Sequence, residues 1–153
     1  MQDKPSHYFV IRSPYAQLIL TGVKNFEWRT NATMFANKRL AVAVSKSRAH
    51  EDDLQDDIVR WEKRWNKFLK KVTAEDREEA LAKLKRNRVK AEKLFEKTNG
   101  CGMIIGEILT GDVATYDGIL GVSVQKFKLW PESDWIESPG GLGVRHMPDK
   151  KRK

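Results

Sequence analysis

The hydrophobic pattern changes period several times along the chain. Residues 7–11, HYFVI, have the composition of a short strand, and Ser13-Pro14 then opens a helix. Serine at the N-cap accepts from an otherwise unpaired amide, proline at the first helical position loses no hydrogen bond, and Gly22 supplies a left-handed stop. These signals predict a helix over 14–21, PYAQLILT. In the following GVKNFEWR, Phe26 and Trp28 alternate with Glu27 and Arg29, the period of a strand, with Glu27 and Arg29 on one face and Lys24 near the corner. KRLAVAVSKS (38–47) reads as a clear strand, with Leu40, Val42 and Val44 on one side and the small residues Ala41, Ala43 and Ser45 on the other, where something could approach closely.

Residues 51–98 switch to helical spacing. Leu54, Ile58, Trp61, Trp65, Phe68 or Leu69, and Val72 form one apolar stripe, with acids at its start and lysines at its end as the helix dipole prefers. Thr73 to Asp76 has the form of a capping box, and a second helix runs through Leu81, Leu84, Ala91 and Phe95 to Asn99-Gly100. The pair predicts a helical hairpin. Tryptophans at helical spacing are usually core, so a packed hairpin is the favoured reading; the other is a basic clamp or protein-binding arm anchored by Trp61 and Trp65.

Strand-like segments return at 101–116 and 118–130, with Gly106 and Gly121 where a bulge or tight bend would be convenient, and GLGVRHM (141–147) reads as a closing strand before Pro148. Short, bent strands with one early helix predict an α+β fold, a small, partly closed β-barrel rather than a doubly wound sheet. The expected organisation of residues 1–153 is a single domain: barrel from 1–50 and 99–148, hairpin insertion at 51–98, and basic tail at 149–153.

Composition narrows the class. The 153 residues are 40% hydrophobic and 33% charged, which suits one globular domain. No apolar run approaches the ~20 residues of a membrane helix, and MQDKPSHYF lacks the order of a secretory signal, so a cytoplasmic protein without membrane contact is expected. The single Cys101 excludes an internal disulfide, and His7, His50 and His146 lack metal-ligand spacing; neither metal nor cofactor is expected. The net charge of +8 is unevenly placed: residues 1–50 hold eight Lys or Arg against two acids, residues 51–98 fourteen against twelve, and residues 99–153 seven against seven. A basic first third favours polyanions.

RSPYAQLILTGVKNFEWRT resembles the opening signature of the ASCH domain, a branch of the PUA-like superfamily, whose pattern runs from a Pro-aromatic pair through a short helix to G-x-K-x-x-E-x-R. Pro14, Tyr15, Gly22, Lys24, Glu27 and Arg29 meet it. LAVAVSK is similar to the family's second strand with its Ser45-Lys46 end, MIIGEIL (103–109) to a later strand, and SPGGLGVRHMP to the closing one. The hairpin at 51–98 is longer than the usual insertion, and Val144-Arg145 stands where an aromatic is common.

The resemblance implies a β-barrel whose cleft is lined by the early helix and the G-x-K-x-x-E-x-R strand, and an association with RNA, other nucleic acid or a nucleotide. Lys24 is then expected to reach a phosphate or base edge, helped by Ser45, Lys46 and Arg48, with Tyr15 or Trp28 stacking on bases and Glu27 with Arg29 as a structural pair. The alternative is a small hydrolase acting on RNA or acylated cytidine nucleosides with Lys24, Glu107 and Tyr15. The amidohydrolase members carry Thr three residues after the Lys; Glu27 stands there, and an ion-paired carboxylate is a poor nucleophile.

Overall fold

A computed structural model describes residues 3–148; the basic tail at 149–153 lies outside the described residues. Seven strands, β1 (His7–Ile11), β2 (Phe26–Trp28), β3 (Arg39–Val44), β4 (Met103–Tyr116), β5 (Ile119–Leu129), β6 (Ile136–Glu137) and β7 (Arg145–His146), form one sheet in the order β2-β5-β4-β3-β1-β7, with β6 also paired to β4. β1 and β3 are parallel and the other pairs antiparallel. The sheet curls strongly into a half-barrel. Three helices, α1 (Tyr15–Leu20), α2 (Glu51–Leu69) and α3 (Ala74–Thr98), pack on it, and none is long and apolar enough to cross a membrane.

The main core lies between the sheet and α1, where Phe9, Ile11, Leu40, Val42, Val44, Ile105 and Ile108 meet Ala16, Ile19 and Leu20. The small-residue face of β3 is also filled: Ala41 and Ala43 pack against Tyr8, Ile104 and Trp130. The room expected there for an approaching group is therefore occupied by the chain's own aromatic side chains.

α1 ends where Gly22 adopts φ +84°, as anticipated. Its start differs from the expected cap. Ser13 makes no cap bond, because its hydroxyl accepts from Gln17 Nε2 at 3.0 Å and from the Gly100 amide at 3.4 Å, tying α1 to the end of α3. At α3, Thr73 Oγ1 does accept from the Asp76 amide, at 3.2 Å.

The hairpin is a packed element. Leu54, Ile58 and Trp61 of α2 and Ala91 and Phe95 of α3 bury against Leu18, Val23 and Phe26, and Trp65 Nε1 donates to Val23 O at 2.8 Å. Phe68, in contrast, is 60% exposed, and Leu69 supplies the buried contact. Gly106 and Gly121 both serve close approach, since a Cβ at Gly121 would lie 2.2 Å from Glu27 O and one at Gly106 would lie 2.5 Å from Lys128 O. Gly106 also borders an irregularity, where the β3–β4 register passes from Val42–Gly106 to Ala43–Ile104. Further register shifts, in the β4–β5 pair, fall between Leu109 and Val113. The closing strand is shorter than 141–147, with only Arg145 and His146 on β1, because the preceding glycine-rich residues form a loop.

Candidate functional site

Because β1 and β3 are parallel neighbours, their C-terminal ends, Ile11–Arg12 and Val44–Lys46, emerge at the same edge of the sheet. Tyr15 at the start of α1, residues 27–30 at the end of β2 and just beyond it, and the loop 138–143 complete the walls of a cleft of about 840 Å³. The loop is held from below: the Tyr8 hydroxyl donates to Gly140 O at 2.6 Å, the Ser138 amide donates to Gly102 O at 2.9 Å, and Ser138 Oγ accepts from the Gly140 amide at 3.0 Å. Leu142, 93% exposed, stands at the mouth.

The floor is an ionic cluster. Glu27, 6% exposed, accepts from Arg29 Nε on Oε2 at 2.8 Å and from Lys24 Nζ on Oε1 at 3.4 Å. Arg29 Nη2 also donates to Val10 O at 3.0 Å, and its guanidinium lies 5.2 Å from the Phe9 ring and 5.0 Å from the Phe35 ring. Lys24, 4% exposed, sits 4.9 Å from the Tyr15 ring and 5.0 Å from the Trp28 ring. A buried ammonium needs an anion and finds one in Glu27, while the aromatic faces supply further attraction. Two cations share one carboxylate, so the floor carries an excess positive charge in a weakly screened place.

The expected site residues therefore separate. Tyr15, Trp28, Ser45 and Lys46 line the cleft, and Glu27 and Arg29 pair as anticipated while also facing it. Lys24 lies beneath the lining rather than projecting into the cleft, since its ammonium is held by Glu27 and two rings. Arg48 lies elsewhere: it borders a separate depression beside Glu51 and Glu92 and donates to Asn99 O at 3.2 Å. Glu107 also lies outside the cleft. In register with Ala41, its carboxylate accepts from Arg39 Nε at 2.5 Å and Nη2 at 3.1 Å, and from Trp130 Nε1 at 2.9 Å. Burial alone would raise its pKa, but hydrogen bonds from Arg39 and Trp130 and the charges of Arg39 and Lys128 hold it below its ordinary value.

Lys24 and Glu107 therefore do not meet, so the expected catalytic set is not assembled with Tyr15 in the cleft. Cys101, partly buried on the core, has its thiol pushed up in pKa by burial, which makes it less reactive. Among the described residues no group of three or more His, Cys, Asp or Glu could hold a metal.

The lining also includes residues that the pattern did not single out: Arg12, Thr30, Gly102 and the loop 138–143. Arg12 had a signal, since it directly follows β1 just as Ser45-Lys46 follows β3. The loop's signal was its SPGG run, which reads as turn chemistry before it reads as strand. Compared with known proteins, the chain matches no family model and no curated protein.

Proposed function

We propose that this chain is an ASCH-type, PUA-like module that binds RNA, other nucleic acid or a modified nucleotide in the cleft. The observation that carries the reading is the Glu27–Arg29 pair on the floor, with two cations sharing one carboxylate. A carboxylate that accepts beside a guanidinium that donates complements a nucleobase edge carrying both an N–H and an acceptor. Arg12 and Lys46, exposed at the rim, suit the phosphates on either side. Tyr15, 38% exposed, and Trp28 offer ring faces for stacking. Lys24 acts by positioning Glu27. The hydrolase reading loses its support with the separation of Lys24 from Glu107, so binding is the better reading.

The test is fluorescence anisotropy of labelled single-stranded RNA with the wild type and the Arg12→Gln/Lys46→Gln double variant. Loss of two phosphate contacts should lower the magnitude of the slope of log affinity against log salt by about 1.4. An unchanged slope and affinity would overturn the cleft assignment.

A further inference from the structure

The hairpin builds a second groove away from this cleft. It runs between α3 and β5, has a volume of about 600 Å³, and is walled by Lys90, Lys93 and Lys97 on one side and Phe127 and Leu129 on the other. At ~3.6 residues per turn the three lysines fall on one narrow face of α3, spread over ~10 Å of axis. The neighbouring acid Glu92 lies on a different face, engaged by Gln55 and Arg88 toward α2. Lys90 and Lys93 are exposed and have no carboxylate partner among the described residues. Lys97 is paired to Glu132, the acid on the groove wall, and lies 5.8 Å from the Trp135 ring. The helix dipole explains why basic residues gather toward the C-terminal end of α3, but not why they share the face that looks onto exposed aromatic surface. Phe127 is 44% exposed and packs against Gly22, whose missing Cβ makes the space: a Cβ there would lie 2.6 Å from Phe127 Cζ.

We propose that this groove is a second nucleic-acid track, on which a single strand lays its phosphates along Lys90 and Lys93 and stacks a base on Phe127. A row of ammonium groups beside a partly exposed aromatic ring is the chemistry of sequence-tolerant single-strand binding; an acidic protein segment would use the lysines but would leave the ring without a partner. The assignment goes beyond the cleft reading and stands or falls separately from it.

The full chain is titrated by anisotropy into labelled polyuridine RNA of about 20 nucleotides, long enough to span more than one site of ~4–16 nucleotides. For the Lys90→Gln/Lys93→Gln variant, the wild-type-to-variant affinity ratio should fall about sevenfold between ~50 and ~200 mM salt, as the loss of two phosphate contacts requires. Phe127→Ala should weaken binding further. Hydrogen exchange should show RNA-dependent protection at residues 90–97 and 127–129 that persists in Arg12→Gln/Lys46→Gln. Equal affinities of wild type and Lys90→Gln/Lys93→Gln at every salt concentration, or absence of that protection, would overturn the proposal, as would polyglutamate displacing the RNA at equal charge concentration. Loss in the α3 variant with none in the cleft variant would uphold this track and sink the cleft; the reverse would sink this track alone.

Discussion

Arg29 Nε donates to Glu27 Oε2 at 2.8 Å across one strand face, and the other oxygen of that carboxylate takes Lys24 Nζ at 3.4 Å. The three charges are unequal in what their removal exposes. Glu27→Gln leaves two cations facing each other with no anion and should destabilise by about 3–5 kcal/mol. Lys24→Met leaves the Glu27–Arg29 pair intact and should cost clearly less. Urea denaturation of the two variants checks the order; a Lys24→Met cost equal to that of Glu27→Gln would contradict the shared-carboxylate arrangement.

The position of that carboxylate depends on a missing side chain. A Cβ on residue 121 would lie 2.2 Å from Glu27 O and 2.5 Å from Phe26 Cε2, so Gly121→Ala must push β2 away from β5. We expect a loss of about 1–3 kcal/mol together with weakened RNA binding, measured by thermal melting and anisotropy. An alanine variant with wild-type stability would show that β2 can shift freely.

Tyr15 is the exposed aromatic at the cleft wall, and its ring already covers Lys24. Tyr15→Ala should reduce RNA affinity by about 1–3 kcal/mol if a base stacks there. Calorimetric titration decides this, and unchanged affinity would remove Tyr15 from the interface.

Glu107 gives a pH signature independent of binding. Its carboxyl is held below the ordinary value, so the stability it contributes is complete above the unfolded-state pKa of about 4.3 and is lost as pH falls through the lower folded-state value. The stability difference between wild type and Glu107→Gln should be constant near neutrality and shrink in acid. Urea midpoints across a pH series test this; a difference that grows in acid would contradict the sign.

Within the hairpin, three aromatic residues should behave differently. Trp61 is buried in the α2–α3–β2 cluster, and Trp61→Ala should cost about 3–5 kcal/mol. Trp65→Phe loses the bond to Val23 O and should cost about 1 kcal/mol. Phe68→Ser, on an exposed side chain, should stay within about 0.5 kcal/mol. Chemical denaturation of all three checks the ranking.

Local chemistry by itself determined the β1–α1–β2–β3 succession, the hairpin at 51–98 and the Glu27–Arg29 pairing, because period, caps and residues two apart on a strand are set by near neighbours. Tertiary structure alone decided where Lys24 points, that Glu107 belongs to Arg39 and Trp130, and that Arg12 and loop 138–143 join Lys46 at one cleft. Those outcomes rest on the parallel β1–β3 pairing and on which charge each buried group could reach. Apart from Glu27, three residues after Lys24, the partners that settle these outcomes lie far away along the chain.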